Sequence, residues 1–214
     1  ADAKSYKPEN KSIVSGQVLQ CPYDFQKARL VVREMADALA LDLVDKGLVT
    51  NQLVLTVGYD RENLDDPSRA ARYKGPVTAD RYGRKIPKHA VGTENFLYTS
   101  SANDLLRAVT ALYDRIVDKN LLIRRLSISA NKLLDEASAS KEEPAEQLDL
   151  FTDYTTKEKQ EQEDKAAHTR ERKLQEAMLG IKKKYGKNAI LKGMNLEDGA
   201  TARERNQTIG GHQA

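Results

Sequence analysis

KSIVSGQVLQCPYDFQKARLVVREMADALALDLVDKGLVTNQLVLTVGY, residues 11–59, changes hydrophobic period twice, and those changes decide the fold. From Lys11 to Leu19 the residues alternate, with Val14, Gly16 and Val18 on one face and Ile13, Ser15 and Gln17 on the other, the period of a half-exposed strand. Ala28, Val32, Met35, Leu39 and Leu43 then recur at three- and four-residue spacing. This predicts an amphipathic helix of about 22 residues, opened by Asp24 and stopped by Gly47. Alternation returns from Asn51 to Tyr59, with Leu53, Leu55, Val57 and Tyr59 facing one way and Val54, Thr56 and Gly58 the other.

Outward from this β-α-β unit, Pro67 to Gly92 carries Arg69, Arg72, Lys74, Arg81, Arg84, Lys85 and Lys88 against Asp80 alone. Gly and Pro break it up, so it reads as a cationic loop, suited either to solvation or to phosphate contact. Thr93–Thr99 has strand composition. Ser101 with Asp104 resembles a capping box opening a helix marked by Leu105, Val109, Leu112 and Ile116. Leu122–Asn131 alternates again, setting Leu126, Ile128 and Ala130 against Arg125, Ser127 and Ser129.

The expected fold is therefore α+β, a β-α-β-β-α-β four-stranded antiparallel-type sheet closing near residue 135. Two helices cover one face, so the other must be stable in water or against a partner. Ser15, Gln17, Thr56, Arg125, Ser127 and Ser129 are assigned to it. Such hydroxyls, amides and guanidinia make either a solvated surface or a phosphate-facing platform.

The chain of 214 residues is 31% charged and 39% hydrophobic with 6% aromatics, below the apolar content of a wholly packed globular protein. No apolar run approaches a bilayer span and no secretory signal opens the chain, so a cytoplasmic protein without membrane contact is expected. One cysteine excludes a disulfide framework, and Cys21 reads as a small buried apolar residue. His89, His168 and His212 are too scattered to assemble a zinc site. Phosphate-binding glycine loops, nucleophile elbows and H-E-x-x-H are absent. Asp65-Asp66 and Glu142-Glu143 lack a rigid frame for a metal.

Formal charge is +3 over residues 1–136, −5 over 137–169 and +5 over 170–214. The sequence divides into a domain at 1–136, an acidic linker at 137–156, an exposed helix at 157–186 and a polar tail at 187–214. The linker cannot bury enough apolar surface to order itself. Within it, Gln147-Leu148-Asp149-Leu150-Phe151 is an apolar island. In the helix, Leu174, Met178 and Ile181 form a thin apolar stripe.

KSIVSGQVL, LVVREMADALALDLVDKGLVTNQLVLTVGY and LLIRRLSISANKL together resemble the C-terminal little finger domain of Y-family translesion DNA polymerases, on the impB/mucB/samB branch. The resemblance spans residues 5–135, and RERKLQEAMLGIKKKYGKNAILKGMNLEDG is similar to tails of Firmicutes-type members. It implies a domain that lies in the DNA major groove, contacts phosphates through its sheet and serves lesion bypass. Lys11, Ser12, Ser15 and Gln17 would occupy the first strand's DNA-facing motif, and Arg124 and Arg125 the basic positions opening the last strand. With Thr56, Ser127 and the loop cations Arg84, Lys85 and Lys88, these are the candidate DNA contacts.

The family keeps its catalytic carboxylates and Mg²⁺ in palm, fingers and thumb domains with no counterpart in these residues. The chain by itself is thus expected to need no cofactor and not to extend a primer. Gln147, Leu148, Leu150 and Phe151 fit the four specified positions of the bacterial sliding-clamp-binding pentapeptide Q-L-x-L-F, which implies clamp and primer-template DNA as partners. A stand-alone nucleic-acid-binding protein of split β-α-β type, or a protein-interaction scaffold, remains open. The first would display stacking aromatics on its sheet, and none is seen there.

Overall fold

The computed structural model describes residues 12–139, 154–209 and 212–213. Strand β1 (Ile13–Tyr23) leads through Asp24 into helix α1 (Phe25–Lys46), and Gly47 turns the chain into β2 (Leu48–Tyr59). The basic stretch holds two short helices, α2 (Glu62–Asp65) and α3 (Pro67–Arg72), and a hairpin of β3 (Val77–Ala79) and β4 (Lys85–Pro87). Then come β5 (Ala90–Thr99), α4 (Ala102–Ile116), β6 (Ile123–Asn131), β7 (Leu134–Asp135) and α5 (Glu136–Ala139). The long helix α6 (Tyr154–Tyr185) precedes a 3-10 turn (Gly193–Leu196), α7 (Ala202–Arg205) and a small pair, β8 (Thr208–Ile209) and β9 (His212–Gln213).

Local chemistry explains the boundaries. Asp24 Oδ1 accepts from Lys27 N at 2.9 Å, filling one orphan donor of α1. Gly47 takes φ 64 at its C-terminus, where a side chain would be strained. Ser101 Oγ accepts from Asp104 N at 3.2 Å to open α4. The sheet is antiparallel throughout in the order β1-β6-β2-β5, with β7 pairing the start of β2. The chain has the α+β fold its alternating periods predict.

α1 and α4 pack side by side on one face. Leu53, Leu55, Val57, Leu126, Ile128 and Ala130 of the sheet meet Val32, Met35, Leu39, Leu43, Leu105, Val109 and Leu112 of the helices, all buried. Each such Val, Leu or Ile is worth roughly 1.5–3 kcal/mol on burial. Tyr113 reaches across to donate to Phe25 O at 2.9 Å, and Arg29 grips Asp114 through two bonds of 2.7 Å. α4 packs tightly over Gly92: a Cβ there would come within 2.8 Å of both Leu112 and Ile116.

α1 is buried on a second face as well. Leu30, Glu34, Asp37 and Leu41 form a stripe at 3–4-residue spacing on its outer side, and the C-terminal segment covers it. Glu34 accepts from Asn195 Nδ2 at 2.8 Å, Thr201 N at 2.8 Å and Ala202 N at 3.2 Å. Lys192 pairs with Asp37, Lys183 with Asp45 and Lys27 with Asp198. Higher on α6, Glu171 accepts from Ser101 Oγ (2.8 Å) and Asn103 N (2.9 Å) at the start of α4, and Gln175 Nε2 donates to Ser100 O at 3.1 Å.

Two sequence expectations are corrected here. Ser15 and Gln17 do not share the open face with Thr56 and Ser127: they pair with Ile128 and Leu126, core residues, and point to the helix side. The polarity of Gln17 is met there because the tail supplies partners, with Thr201 Oγ1 3.3 Å and Arg205 Nη1 3.4 Å from Gln17 Oε1. Cys21 is exposed, since β1 runs on past the cover of α1. On α6, most described side chains are exposed, Leu174 and Ile181 among them, while Gln175 and Met178 are buried. Linker residues 140–153 fall outside the described residues, as does Lys11.

Candidate nucleic-acid interface

The strand register builds the uncovered face row by row. Residues directly opposite in antiparallel strands share a face, so Gly16, Ser127, Thr56 and Val91 form one row across β1, β6, β2 and β5. Val14, Ser129, Val54 and Thr93 form the next, and Val18, Arg125 and Gly58 the row on the other side. Beyond Ser129 lies a row of amides: Gln52 Nε2 donates to Asn95 Oδ1 at 2.8 Å and Asn131 Nδ2 to Gln52 Oε1 at 3.3 Å. Ser129 Oγ closes the ladder onto Asn131 Oδ1 at 2.7 Å.

Cations gather at the opposite end. Arg125 is exposed, and its guanidinium makes no hydrogen bond or ion pair among the described residues. Gly58 makes room for it: a Cβ there would stand 3.0 Å from Arg125 Cβ and 3.5 Å from His89 Nε2. His89 thus sits beside Arg125, just before β5. A groove of about 1060 Å³ runs over Gly16, Val18, Ser127 and Arg125 to the tail at Thr201 and Arg205. Its breadth suits a polymer backbone more than a small ligand.

The sequence-predicted contacts divide accordingly. Thr56, Arg125 and Ser127 come together on the open face, whereas Ser15 and Gln17 lie behind it. Ser12 is exposed immediately before β1. Arg124 sits where the β6–β2 register shifts, donating to Gln20 O at 2.9 Å and lying 3.8 Å from Asp60, so its charge is already partly answered. Arg84 is likewise held, its Nε donating to Asp80 Oδ2 at 2.7 Å. That bond, with amides donated by Arg84 and Tyr82, holds the Asp80 carboxyl below the usual carboxylate range and raises Arg84. Lys85 and Lys88 follow on the exposed hairpin and its exit. Gln147, Leu148, Leu150 and Phe151 lie outside the described residues.

Sequence reasoning missed His89, the two glycines and the amide ladder. Gly58 carried a signal, since a glycine between Val57 and Tyr59 in a strand marks close approach. The ladder carried none, because it depends on register between strands far apart in sequence.

The profile of the impB/mucB/samB family C-terminal domain matches residues 10–150. The chain belongs to this family. An impB/mucB/samB C-terminal domain is that of a Y-family DNA polymerase, and the match takes in the whole sheet and both core helices but ends before α6. The chain is also similar to a solved structure described as "Complex of beta-clamp processivity factor and little finger domain of PolIV". That match has 10% identity, covers 66% of this chain and 100% of that one, and has a TM-score of 0.38. No curated protein matches. Among the described residues no helix is long and apolar enough to cross a membrane, and no group of three or more His, Cys, Asp or Glu could hold a metal ion.

Proposed function

We propose that this impB/mucB/samB domain holds primer-template DNA by its phosphates, on the open sheet face, and tethers its polymerase to a sliding clamp through Gln147–Phe151 during lesion bypass. The supporting observation is the uncovered row Gly16, Ser127, Thr56 beside Arg125, whose guanidinium has no partner among the described residues and which lies close over Gly58. Hydroxyls, backbone groups and a free guanidinium donate to phosphate without reading bases, so binding is expected to be independent of sequence. Arg125 carries more of it than Arg124, whose guanidinium is engaged by Gln20 and Asp60.

Titrating duplex DNA with the full chain over a range of salt tests this. Arg125→Ala is expected to lower affinity equally on unrelated sequences and to flatten the slope of log K against log[salt] by about 0.9, one phosphate contact. Arg124→Ala is expected to do less. Binding that ignores salt would refute the platform.

A further inference from the structure

The hairpin between β2 and β5 presents an aromatic ring that the sheet reading does not use. Tyr82 is 71% exposed at the tip. It is not on a loose loop. Asp80 Oδ1 accepts from Tyr82 N (2.8 Å) and Arg84 N (3.0 Å), while Gly83 N donates to Asp80 O at 2.9 Å. Gly83 takes φ 77, which a side chain would strain, and β3 pairs with β4 beneath it. An exposed aromatic in water needs a reason when its backbone is built this firmly.

Two guanidinia flank the ring, Arg84 at 5.0 Å and Arg81 at 5.4 Å from its centroid. They differ in freedom. Arg84 is locked to Asp80 by hydrogen bonds, whereas Arg81 has no polar partner among the described residues. A planar group arriving at the ring can displace Arg81 while Arg84 keeps the ring in place. The hairpin also lies at the cationic end of the interface. β4 leads through Lys88 and His89 into β5, His89 adjoins Arg125, and Asp60, which pairs with Arg124, is near enough to act on Arg84.

We propose that this tip is a base-stacking finger, in which Tyr82, gripped by Arg84, stacks on an unpaired nucleobase adjoining the duplex held by the sheet, while Arg81 moves to a neighbouring phosphate. Every base has a π-face, so the contact needs no particular sequence. Paired bases offer no free face within the helix, which directs the finger to single-stranded template beyond the primer terminus. The inference rests on the phosphate-platform reading for its placement, but the stacking chemistry is separate from it.

The test uses the full chain and Tyr82→Ala and Tyr82→Phe variants, with three probes: a blunt duplex, the same duplex with a single-stranded extension, and the extension alone. 2-Aminopurine is placed at successive positions of the extension. Tyr82 touches no core residue, so both variants are expected to melt as the parent does. Tyr82→Ala is expected to weaken binding of the extended duplex about tenfold, equal to 1.4 kcal/mol, and to leave the blunt duplex within about twofold. Parent and Tyr82→Phe are expected to quench 2-aminopurine at one position, and Tyr82→Ala not to.

Equal losses on blunt and extended duplexes, or no quenching by the parent on any probe, would overturn the finger. Quenching on the extension alone without duplex binding would instead keep the finger and overturn the sheet platform. If the hairpin serves a protein partner, all three DNA probes are insensitive to Tyr82→Ala, and the proposal fails.

Discussion

Glu34→Ala probes the least expected element of the structure, the grip of α1 on the C-terminal segment. Glu34 is 3% exposed and accepts from Asn195, Thr201 and Ala202 at 2.8–3.2 Å. Removing it strands two backbone N–H groups and one amide in a cleft. A hydrogen bond to a charged group contributes roughly 1.5–3 kcal/mol, and an unsatisfied buried donor costs about 1–3 kcal/mol. These do not add in full, because the freed segment can lift toward water. A loss of about 2–4 kcal/mol in docking follows. Native-state hydrogen exchange of the Thr201 and Ala202 amides reads it directly, as a fall in protection by roughly 30- to 1000-fold. Core amides of β2 and β6 are expected to keep theirs, since Leu53 and Ile128 are buried by α1 and α4 and not by the tail. Unchanged protection at Thr201 and Ala202 would refute the reasoning, as would a uniform fall throughout the sheet, which would mean that the tail and sheet open as one unit.

Two further outcomes follow. Asp114 is held below the usual carboxylate range first by its bond to Arg29, so the pair contributes stability at pH values above the unfolded carboxylate value and loses it as pH falls through the lower folded value. Asp114→Asn is therefore expected to lower the melting temperature across the neutral and alkaline range, where the wild-type pair is intact, and to flatten the acid limb of the profile, where the wild type loses it anyway. A peptide of residues 141–156 is expected to bind a bacterial sliding clamp in calorimetry. Leu150→Ala with Phe151→Ala should abolish its heat and Asp149→Ala should shift affinity by less than about tenfold; equal heats from the parent and double-variant peptides would remove the clamp reading.

Periodicity made the core legible. Asp24, Gly47 and Ser101 bound the helices as their chemistry requires, and Leu53, Leu55 and Val57 against Leu126 and Ile128 fix which side of the sheet is dry. Strand β1 was legible as a strand, but which of its faces is dry was not, for a physical reason. Alternation separates two sets of residues but does not say which set faces inward when both are mixed. Ser15 and Gln17 looked like surface beside Val14 and Val18, yet register with Ile128 and Leu126 turns the valines outward. Nor could the sequence show why Leu30 and Leu41 fall off the main stripe of α1, since their cover arrives from about 150 residues later in the chain.

The inversion of β1 changes how the open face works. With Val14, Gly16 and Val18 outward, the edge strand offers no side-chain donor there, and the two valines are 63% and 60% exposed. Hydrogen-bonding capacity is concentrated on β6 and β2, where Ser127, Ser129, Thr56 and Arg125 lie in adjacent rows. Along those strands it is graded. At one end the amides of Gln52, Asn95 and Asn131 bond mainly to one another, so little of their capacity is left for a ligand. At the other, the Arg125 guanidinium has no partner among the described residues, and His89 lies beside it. On the proposed reading, an anionic backbone would gain most at the Arg125 end and meet apolar contact along β1, a polarity that would orient a bound strand. The hairpin that carries Tyr82 leads into β5 at the same end, so on the two proposals together the strongest electrostatic hold and the exposed ring would meet neighbouring stretches of one ligand.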